Sequence, residues 1–309
     1  MSGVRITLIS VPYDLGRAEV GSGRGPAAYL KAGAAEALQA RGHEVDVVTA
    51  RRDGEYENEL QAVLAVNDAV AAEVAAARAH GSLPLVLAGN CNAALGVRAG
   101  LQRRGGDDAA AALVWLDAHG DFNTPSTTET GYLDGMPLAM LCGRAYREAV
   151  SGALGSAPVA EPAVLHVGAR ELDRGEAASL AASGVLVVNG AELSDGDRAR
   201  LLGERLDELA ARTAPDAGGP AAAHLHVDLD VLDPAAAPGV SFPTPGGFTA
   251  AQLLEVIELV MARFDIVAVT VTSFTPDRDD AAESTLAAGL AVLGLVAGGA
   301  HAGAPAARR

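Results

Sequence analysis

Two short stretches of this 309-residue sequence combine carboxylates with imidazoles in a pattern that could bind metal ions. Residues 117–123 read DAHGDFN and come directly after the apolar run ALVWL, while residues 224–234 read HLHVDLDVLDP. Each stretch continues a run typical of a buried β-strand, and open α/β sheets bind ligands in the crevice outside the carboxyl ends of their strands. We therefore expect both stretches to contribute to one ligand site.

The carboxylates of these stretches need a counter-charge. Strand alternation places the polar side chains of the second stretch on one face of its strand: His224, His226, Asp228 and Asp230. Carboxylates packed closely in apolar surroundings repel each other, and burial of an uncompensated charge is costly. Neither stretch contains a lysine or an arginine, so one or two divalent cations are the simplest counter-charge. For an isolated Asp-x-Asp, a cap or a turn is the alternative interpretation.

The elements that position these stretches alternate between two kinds. β-Branched runs are followed by Ala/Leu-rich segments of helical period, which is typical of βα units and of a parallel sheet covered on both faces. The predicted helices include residues 27–42 and 59–81, and no Pro/Gly-rich stretch separates regions of different composition. We predict a single domain over residues 1–309, with a frayed C-terminal tail. The eight predicted strands are residues 5–11, 44–49, 83–89, 112–118, 163–169, 184–190, 223–230 and 266–273.

The composition excludes several classes of function. The chain carries 39 acidic and 23 basic residues, a net charge of −16, and an acidic surface repels nucleic acid and anionic lipid. Lys31 is its only lysine, which argues against Schiff-base chemistry and a GK-type phosphate loop. Two cysteines, Cys91 and Cys142, cannot form a disulfide framework for a chain of this length. No signal-like or unbroken membrane-length apolar run is present, so we expect a soluble cytoplasmic protein with no membrane or nucleic-acid partner.

Four motifs, in order along the chain, resemble those of the ureohydrolase family, which includes arginase, agmatinase and formimidoylglutamase. Besides the two acidic stretches, residues 87–96 (LAGNCNAALG) and 167–176 (VGARELDRGE) are similar to family segments, as is the opening stretch 11–33. The resemblance implies an α/β fold, a three-layer α/β/α sandwich around an eight-stranded parallel sheet, assembled as a homotrimer or homohexamer. It also implies hydrolysis of a guanidino group by a hydroxide that bridges two Mn²⁺ ions, with release of urea or a substituted urea.

The resemblance assigns roles to five metal ligands, all of which are present in this sequence. Asp117 and Asp228 would bridge the two metals, Asp121 would complete the first site, and His119 with Asp230 would complete the second. Asp121 is also a predicted catalytic residue. The sequence therefore predicts an intact second metal site.

The sixth ligand departs from the family pattern, because the expected histidine reads Cys91. A thiolate is a soft ligand, whereas Mn²⁺ is a hard ion that prefers oxygen and imidazole. Three alternatives follow: Cys91 binds a softer metal such as Zn²⁺, binds Mn²⁺ poorly, or stays a neutral thiol beside an empty or water-completed site. His226, on the aspartate face of its strand, could approach the site from the other side, and a supporting role is favoured over metal binding.

Four residues match the positions that contact the α-carboxylate and α-amino groups of an amino acid in arginase-like enzymes. The resemblance therefore favours an amino-acid substrate over a simple amine such as agmatine. The alternative is that these residues serve in loops and caps, which such residue types also prefer. The four predicted substrate-binding residues are Asn123, Thr128, Thr130 and Asp173, and Arg170 is expected to orient the loop that carries Asp173.

Two further departures affect the guanidino end of the substrate. The family's proton-shuttling histidine reads Asp134, and its guanidinium-binding glutamate reads Ser273. A serine replaces a charge-assisted hydrogen bond with a weaker neutral one, which makes arginine a poor fit and favours a less basic guanidine such as N-hydroxyarginine. Asp134 could return a carboxylate to the site or act as the acid that protonates the leaving amine.

Three other functions are alternatives to this hydrolase. With its altered positions, the chain could be a binding or regulatory subunit that keeps the fold and lacks the activity. The glycines of residues 21–25 (GSGRG) suggest a nucleotide loop, but the spacing is not GxGxxG, Pro26 follows at once, and the next predicted strand does not end in an acidic residue. A serine hydrolase is disfavoured because the chain has no GxSxG motif.

Overall fold

The computed structural model describes residues 3–52, 54–190, 197–215, 218–278 and 282–300. Eight strands form one sheet in the order β4-β1-β5-β10-β9-β6-β7-β8, and every neighbouring pair is parallel. The strands are β1 (Arg5–Val11), the short antiparallel pair β2 (Tyr13–Asp14) and β3 (Arg17–Ala18), β4 (Glu44–Thr49), β5 (Leu83–Ala88), β6 (Ala112–Leu116), β7 (Val164–Val167), β8 (Leu186–Val188), β9 (Ala221–Asp228) and β10 (Phe264–Thr272).

Helices cover both faces of the sheet. On one face lie α1 (Gly25–Lys31), α2 (Ala34–Ala40), α8 (Arg198–Thr213), α9 (Ala250–Met261) and α10 (Ala282–Gly299). On the other face lie α3 (Glu59–Ala79), α4 (Ala93–Arg104), α5 (Pro137–Leu141), α6 (Arg147–Leu154) and α7 (Arg174–Ala181). This arrangement confirms the predicted three-layer α/β/α sandwich around an eight-stranded parallel sheet.

The burial of the strands explains why their sequences lack alternation. Every residue of β5 and β6 is buried, because successive side chains point to opposite faces and helices cover both. Within β6, Val114 packs with α8 to α10, whereas Trp115 packs with α3 to α7. The edge strand β4 is the exception, since none of its residues is fully buried.

All eight predicted strands are present, but one predicted helix is broken in two, and two predicted strands that lead into the site end earlier than expected. The predicted helix 27–42 is two helices, because Gly33 adopts a left-handed φ of +85° between α1 and α2. The predicted strand 223–230 ends at Asp228, and a 3₁₀ turn, Leu229–Val231, follows it. Asp230 therefore lies in that turn and not on the strand face. The strand predicted over 112–118 likewise ends at Leu116, so Asp117 follows it.

Helix α3 is long and apolar enough to cross a membrane by length and composition, with a mean hydropathy of 1.4. Half of that apolar window is buried inside the protein, and the helix packs along α4. Buried helices in protein cores also meet this criterion of length and composition, and the buried residues of α3 belong to the hydrophobic core. Residues 301–309 of the tail predicted to fray lie outside the described residues.

Candidate active site

The four central strands of the sheet deliver the polar side chains of the site. In spatial order these strands are β5, β10, β9 and β6, and because all are parallel their carboxyl ends meet at one edge. Cys91 follows β5, Ser273 follows β10, Asp228 ends β9, and Asp117 follows β6. The two acidic stretches therefore meet at the crevice outside the strand ends, as the sequence predicts.

Between β5 and Cys91, the chain packs closely against the backbone of residues 13–23. A Cβ on Gly89 would lie 2.2 Å from the carbonyl oxygen of Tyr13 and 2.8 Å from the nitrogen of Gly23, so the position tolerates no side chain. Gly23 belongs to residues 21–25, the stretch considered as a nucleotide loop. Close packing of the backbone therefore explains why positions 23 and 89 are glycines.

Asp117 and His119 form a buried pair. Asp117 is 1% exposed and accepts hydrogen bonds from Trp115 Nε1 at 3.0 Å and from the backbone nitrogen of His119 at 2.7 Å. Burial acts to raise the pKa of Asp117, but hydrogen bonding and charge from His119 outweigh it and lower the pKa to about 2. Burial acts to lower the pKa of His119, but Asp117 and Asp230 outweigh it and raise the pKa to about 11. Without metal, protonated His119 is thus the local cation.

The 3₁₀ turn after β9 fixes Asp230. His119 Nδ1 lies 3.1 Å from Asp230 Oδ2, and the backbone nitrogen of Ala118 donates to Oδ1 at 3.2 Å. The backbone nitrogen of Asp230 in turn donates to Asp228 Oδ1 at 2.8 Å. One carboxylate therefore joins the two acidic stretches.

Arg170 anchors its own segment of the chain to two others. Its guanidinium donates to the carbonyl oxygens of Asp230 at 2.7 Å and Thr244 at 2.8 Å, and also reaches that of Leu232 at 3.2 Å. It therefore ties the segment that carries both Arg170 and Asp173 to the turn that carries Asp230 and to Thr244.

Asp121 lies across the crevice with a buried oxygen that has no hydrogen-bond partner in the described part of the chain, Oδ2. Burial raises the pKa of Asp121 well above its usual range, and the charges of Asp117 and Asp134 raise it further. Its backbone has a φ of +49°, a strained value for a residue other than glycine. An orphaned carboxylate oxygen facing other carboxylates is a natural cation ligand.

Cys91 lies on the opposite side of the crevice. Its sulfur is 2.7 Å from Asp228 Oδ2, 3.2 Å from Thr272 Oγ1 and 3.3 Å from His226 Nε2. Burial raises the pKa of the Cys91 thiol well above its usual range, and the neighbouring aspartates add to this effect. In the metal-free protein Cys91 is therefore a neutral thiol that donates to Asp228.

The donor chemistry of the site fits divalent cations. Among the described residues, two sets of three side chains could each hold a cation, because the ligand atoms within a set all lie within 4.8 Å of one another. The oxygen-rich set with His119 suits a hard ion such as Mn²⁺, whereas the set with Cys91 includes a soft sulfur. The two sets are Asp117, His119 and Asp230, and Cys91, Asp117 and His226.

A cavity of about 250 Å³ opens onto these ligands. Every site residue predicted from the sequence lines it, so the structure brings them all together, and their individual roles stay predictions. These residues are Cys91, Asp117, His119, Asp121, Asn123, Thr128, Thr130, Asp134, Asp173, Asp228, Asp230 and Ser273.

The predicted substrate-binding residues also serve the local backbone. Asn123 Nδ2 donates to Asp173 Oδ2 at 2.9 Å, and Asp173 is the N-cap of α7 in a capping box with Glu176. Thr128 Oγ1 accepts from the backbone nitrogen of Gly131 at 3.0 Å. The loop-and-cap interpretation is thus correct for these side chains, and their place on the cavity wall leaves the binding interpretation open as well.

Asp134 is held by the segment around Cys91. Asn92 donates to Asp134 Oδ1 from its backbone nitrogen and from its side-chain amide, each at 3.1 Å. Burial raises the pKa of Asp134 to about 7, against these hydrogen bonds. A carboxyl group with this pKa can exchange protons at neutral pH.

Five residues that line the cavity were not predicted from the sequence: Tyr132, Gly135, Glu171, Glu176 and Phe242. Phe242 is 51% exposed, and its ring centroid lies 5.5 Å from that of Tyr132 and 6.2 Å from that of His119. Glu171 Oε2 lies 3.8 Å from His119 Nε2 and accepts from Thr244 Oγ1 at 2.5 Å. Glu171 could have been found, since it belongs to the VGARELD motif, whereas Phe242 lies in no motif.

Comparison with known proteins agrees with this geometry. The profile of the arginase family matches residues 4–297 of the chain. The chain belongs to the arginase family. It is therefore a metal-dependent hydrolase of guanidino groups, an enzyme that acts on linear amidines.

Individual arginases cover most of this arginase-family chain. The arginase of Bacillus caldovelox is 30% identical over 304 residues, which are 95% of this chain and 98% of the relative. The arginase of Bacillus subtilis is 35% identical over 253 residues, 79% of this chain and 81% of the relative. A crystal structure of Bacillus subtilis arginase superimposes with a TM-score of 0.81 at 32% identity, covering 94% of this chain and 98% of that one.

Proposed function

We propose that this arginase-family enzyme hydrolyses the guanidino group of an amino-acid-like substrate and prefers an N-hydroxyarginine-type compound to arginine. The observation that carries the preference is Ser273, which stands where the family motif implies a guanidinium-binding glutamate. Its hydroxyl donates to Asp228 Oδ2. The guanidino end of the cavity therefore receives no carboxylate from this position, which favours a guanidine of low basicity.

The metal centre would be formed by the residues that the family motifs imply, because the fit of their donor atoms supports it. Bound divalent cations lower the pKa of water and polarise the electrophile, which is the chemistry that attack on a guanidino carbon requires. By family resemblance the ions would be two Mn²⁺. The proposed ligands are Cys91, Asp117, His119, Asp121, Asp228 and Asp230.

The far wall of the cavity would recognise the amino-acid end of the substrate. Asn123 and Asp173 offer an amide and a carboxylate already paired at 2.9 Å, and Thr128 and Thr130 line the same wall. The carboxylate would bind an α-ammonium group, while the amide and hydroxyls would bind an α-carboxylate. A simple amine such as agmatine has no α-carboxylate for these donors.

Asp134 would protonate the leaving amine. When the carbon–nitrogen bond breaks, the departing nitrogen needs a proton, and Asp134 lines the cavity with a pKa raised to about 7 by burial. An acid of this pKa is half protonated near neutrality, which suits general acid catalysis. The other role, a carboxylate that binds the cationic guanidine, requires the opposite protonation state.

A side-by-side assay tests the substrate preference. The metal-loaded protein is assayed with N-hydroxyarginine, arginine, agmatine and guanidinobutyrate, with urea or hydroxyurea as the measured product. We expect the highest kcat/KM with N-hydroxyarginine and the lowest values with the two compounds that lack an α-amino acid group. Fastest turnover of arginine would contradict the preference and leave the family activity intact.

The departures at Cys91, Asp134 and Ser273 keep one alternative open, a binding or regulatory subunit with the arginase fold. Such a protein has no need of stoichiometric metal. Elemental analysis after mild purification separates the two, because the hydrolase retains metal and the regulatory subunit does not. The alternative would be favoured if the protein were purified without metal and then, after metal had been added back, bound a guanidino amino acid without hydrolysing it.

We infer from the family resemblance that the chain is cytoplasmic and assembles as a homotrimer or homohexamer. Light scattering coupled to size-exclusion chromatography measures the assembly directly. A mass of three or six chains is expected, and a stable monomer would contradict it.

A further inference from the structure

His226 lies on β9 and approaches the metal centre from a position at which the family motifs place no metal ligand. Its strand, β9, lies next to β6 and β10, and its Nε2 is 3.3 Å from the sulfur of Cys91. The position at which the family motif implies a histidine is occupied by the smaller Cys91. An imidazole absent from the segment after β5 is thus provided, close to the same place, by β9, which lies two strands away in the sheet.

The distances match the edges of a small coordination polyhedron. Metal–sulfur bonds of about 2.3 Å and metal–nitrogen or metal–oxygen bonds of about 2.0–2.2 Å at tetrahedral angles place sulfur about 3.5 Å from the other ligand atoms. Cys91 Sγ is 3.3 Å from His226 Nε2 and 3.9 Å from Asp117 Oδ2. One cation could therefore contact all three atoms with small side-chain adjustments.

Trp115 holds two of the three ligands in place. Its ring stacks on the His226 ring with centroids 3.6 Å apart, and its Nε1 donates to Asp117 Oδ2 at 3.0 Å. Trp115 and His226 are fully buried. The imidazole is oriented by stacking, since its Nδ1 is buried and has no hydrogen-bond partner among the residues described. Asp121 Oδ2, also buried and unpartnered, faces the same cavity.

We propose that Cys91, His226 and Asp117 form a nitrogen–sulfur–oxygen metal position that selects Zn²⁺ or Co²⁺ over Mn²⁺. The position with His119 and Asp230 keeps a hard donor set, so the centre is built for two different ions. When the metal–sulfur bond forms, the thiol proton leaves to solvent. The inference rests on the proposed metal centre and adds to it a ligand, His226, and a metal preference.

Cobalt absorption spectroscopy tests the coordination without reliance on activity. Metal-free full-length protein is titrated with Co²⁺, and a thiolate-to-cobalt charge-transfer band in the near ultraviolet is expected to saturate at one Co²⁺ per chain. Cys91→Ser should lose the band. His226→Asn should keep a thiolate band but weaken Co²⁺ binding about tenfold or more and change the visible ligand-field bands. Cys142→Ser, at the other cysteine, is the matched control and should leave the spectrum unchanged.

A competition experiment tests the selectivity. Protein incubated with one equivalent of Zn²⁺ and excess Mn²⁺, then desalted, should retain Zn²⁺ at one position by elemental analysis, and His226→Asn should retain less Zn²⁺ under the same conditions. Binding of Co²⁺ by wild-type protein without a thiolate band, or a His226→Asn variant with unchanged affinity and spectrum, would overturn this inference alone. If the wild type bound no divalent ion in either experiment, the proposed function would fall with it.

Discussion

Asn90 donates its side-chain amide to Asp134 Oδ2 at 2.8 Å, and both residues depart from the family pattern. The family motif has an aspartate at position 90 and a histidine at position 134. An aspartate at 90 would face the Asp134 carboxylate with like charge and without a donor. The two substitutions therefore depend on each other, and Asn92 completes the arrangement with two further hydrogen bonds to Oδ1.

Asp134→Asn tests the proton-transfer role. An amide of the same shape cannot protonate the leaving amine, so we expect kcat to fall about 10²- to 10⁴-fold while metal content stays constant. Asp46→Asn, an exposed carboxylate on β4, is the matched control and should leave kcat unchanged. If kcat survived in Asp134→Asn, the leaving amine would take its proton from another group.

Asn90→Asp tests the coupling between the two positions. The backbone nitrogen of Leu15 donates to Asn90 Oδ1 at 2.7 Å, and an aspartate can keep that contact while it adds a negative charge beside Asp134. The added charge raises the pKa of Asp134. Because the acid must be protonated, activity declines as pH rises through that pKa, and the variant's declining limb should lie at higher pH than that of the wild type. A rising limb would instead indicate the carboxylate role.

Ser273→Glu tests the origin of the substrate preference. A carboxylate at this position gives a charge-assisted hydrogen bond to a guanidinium, so the ratio of kcat/KM for arginine to that for N-hydroxyarginine should rise about tenfold, equivalent to roughly 1.4 kcal/mol. Ser273→Gln, which adds similar volume without charge, should leave the ratio near that of the wild type. An equal change in both variants would mean that volume, and not charge, controls the preference.

Much of the fold was predictable because buried parallel strands have a strong local signal. Val, Leu and Ile runs such as β5 and β6 are apolar on both faces, and each was predicted within two residues of its observed ends. The predicted strand boundary was wrong at the end of β9, where the site residue Asp230 lies in a turn and not in the strand. Asp230 continues the alternation of β9 in the sequence, yet the backbone turns after Asp228 so that the Asp230 nitrogen donates to the Asp228 carboxylate.

The composition of the site was predictable, but its contacts were not. Motif order brought every predicted site residue to one cavity. His226 was expected only to support the metal, because alternation along one strand does not reveal how near a side chain comes to Cys91 on another. The contacts of Asn90 and Asn92 were not predicted, since their partner Asp134 lies 42 or more residues away in the chain. Contacts between distant segments require the sheet order, which local patterns do not encode.

The stability of the metal-free protein should depend on pH in an unusual direction. Burial raises the pKa of Asp134 and of Glu176 to about 7, above the roughly 3.9 and 4.3 expected in the unfolded chain. Such groups contribute their full stability below the unfolded pKa and lose it as pH rises towards 7. Metal binding at the adjacent ligands offsets this loss, since the positive charge of a nearby cation stabilises the ionised form of these carboxylates.

We therefore expect the difference in Tm between metal-loaded and chelator-treated protein to widen from pH 5 to pH 7 (roughly the interval between the two pKa ranges). Asp134→Asn removes one of these ionisations and should flatten the curve of the chelator-treated protein, whereas Asp46→Asn should not. A metal-induced increase in Tm that is constant across this range would contradict the raised pKa values of these buried carboxylates.

The chain's only tryptophan reports directly on the metal centre. Trp115 is buried, stacks on His226 and donates to Asp117 Oδ2, so a cation bound by those two residues alters the electric field at the indole. Titration of metal-free protein with Zn²⁺ should change the emission intensity or wavelength and reach a plateau at the stoichiometry of that position.

Trp115→Phe leaves Asp117 Oδ2 without its indole donor, and loss of such an orienting partner should weaken metal binding about 10- to 100-fold by calorimetry. In Cys142→Ser both signals should match the wild type, whereas calorimetric Zn²⁺ binding with unchanged emission would place the ion away from Trp115 and against the arrangement of Cys91, His226 and Asp117.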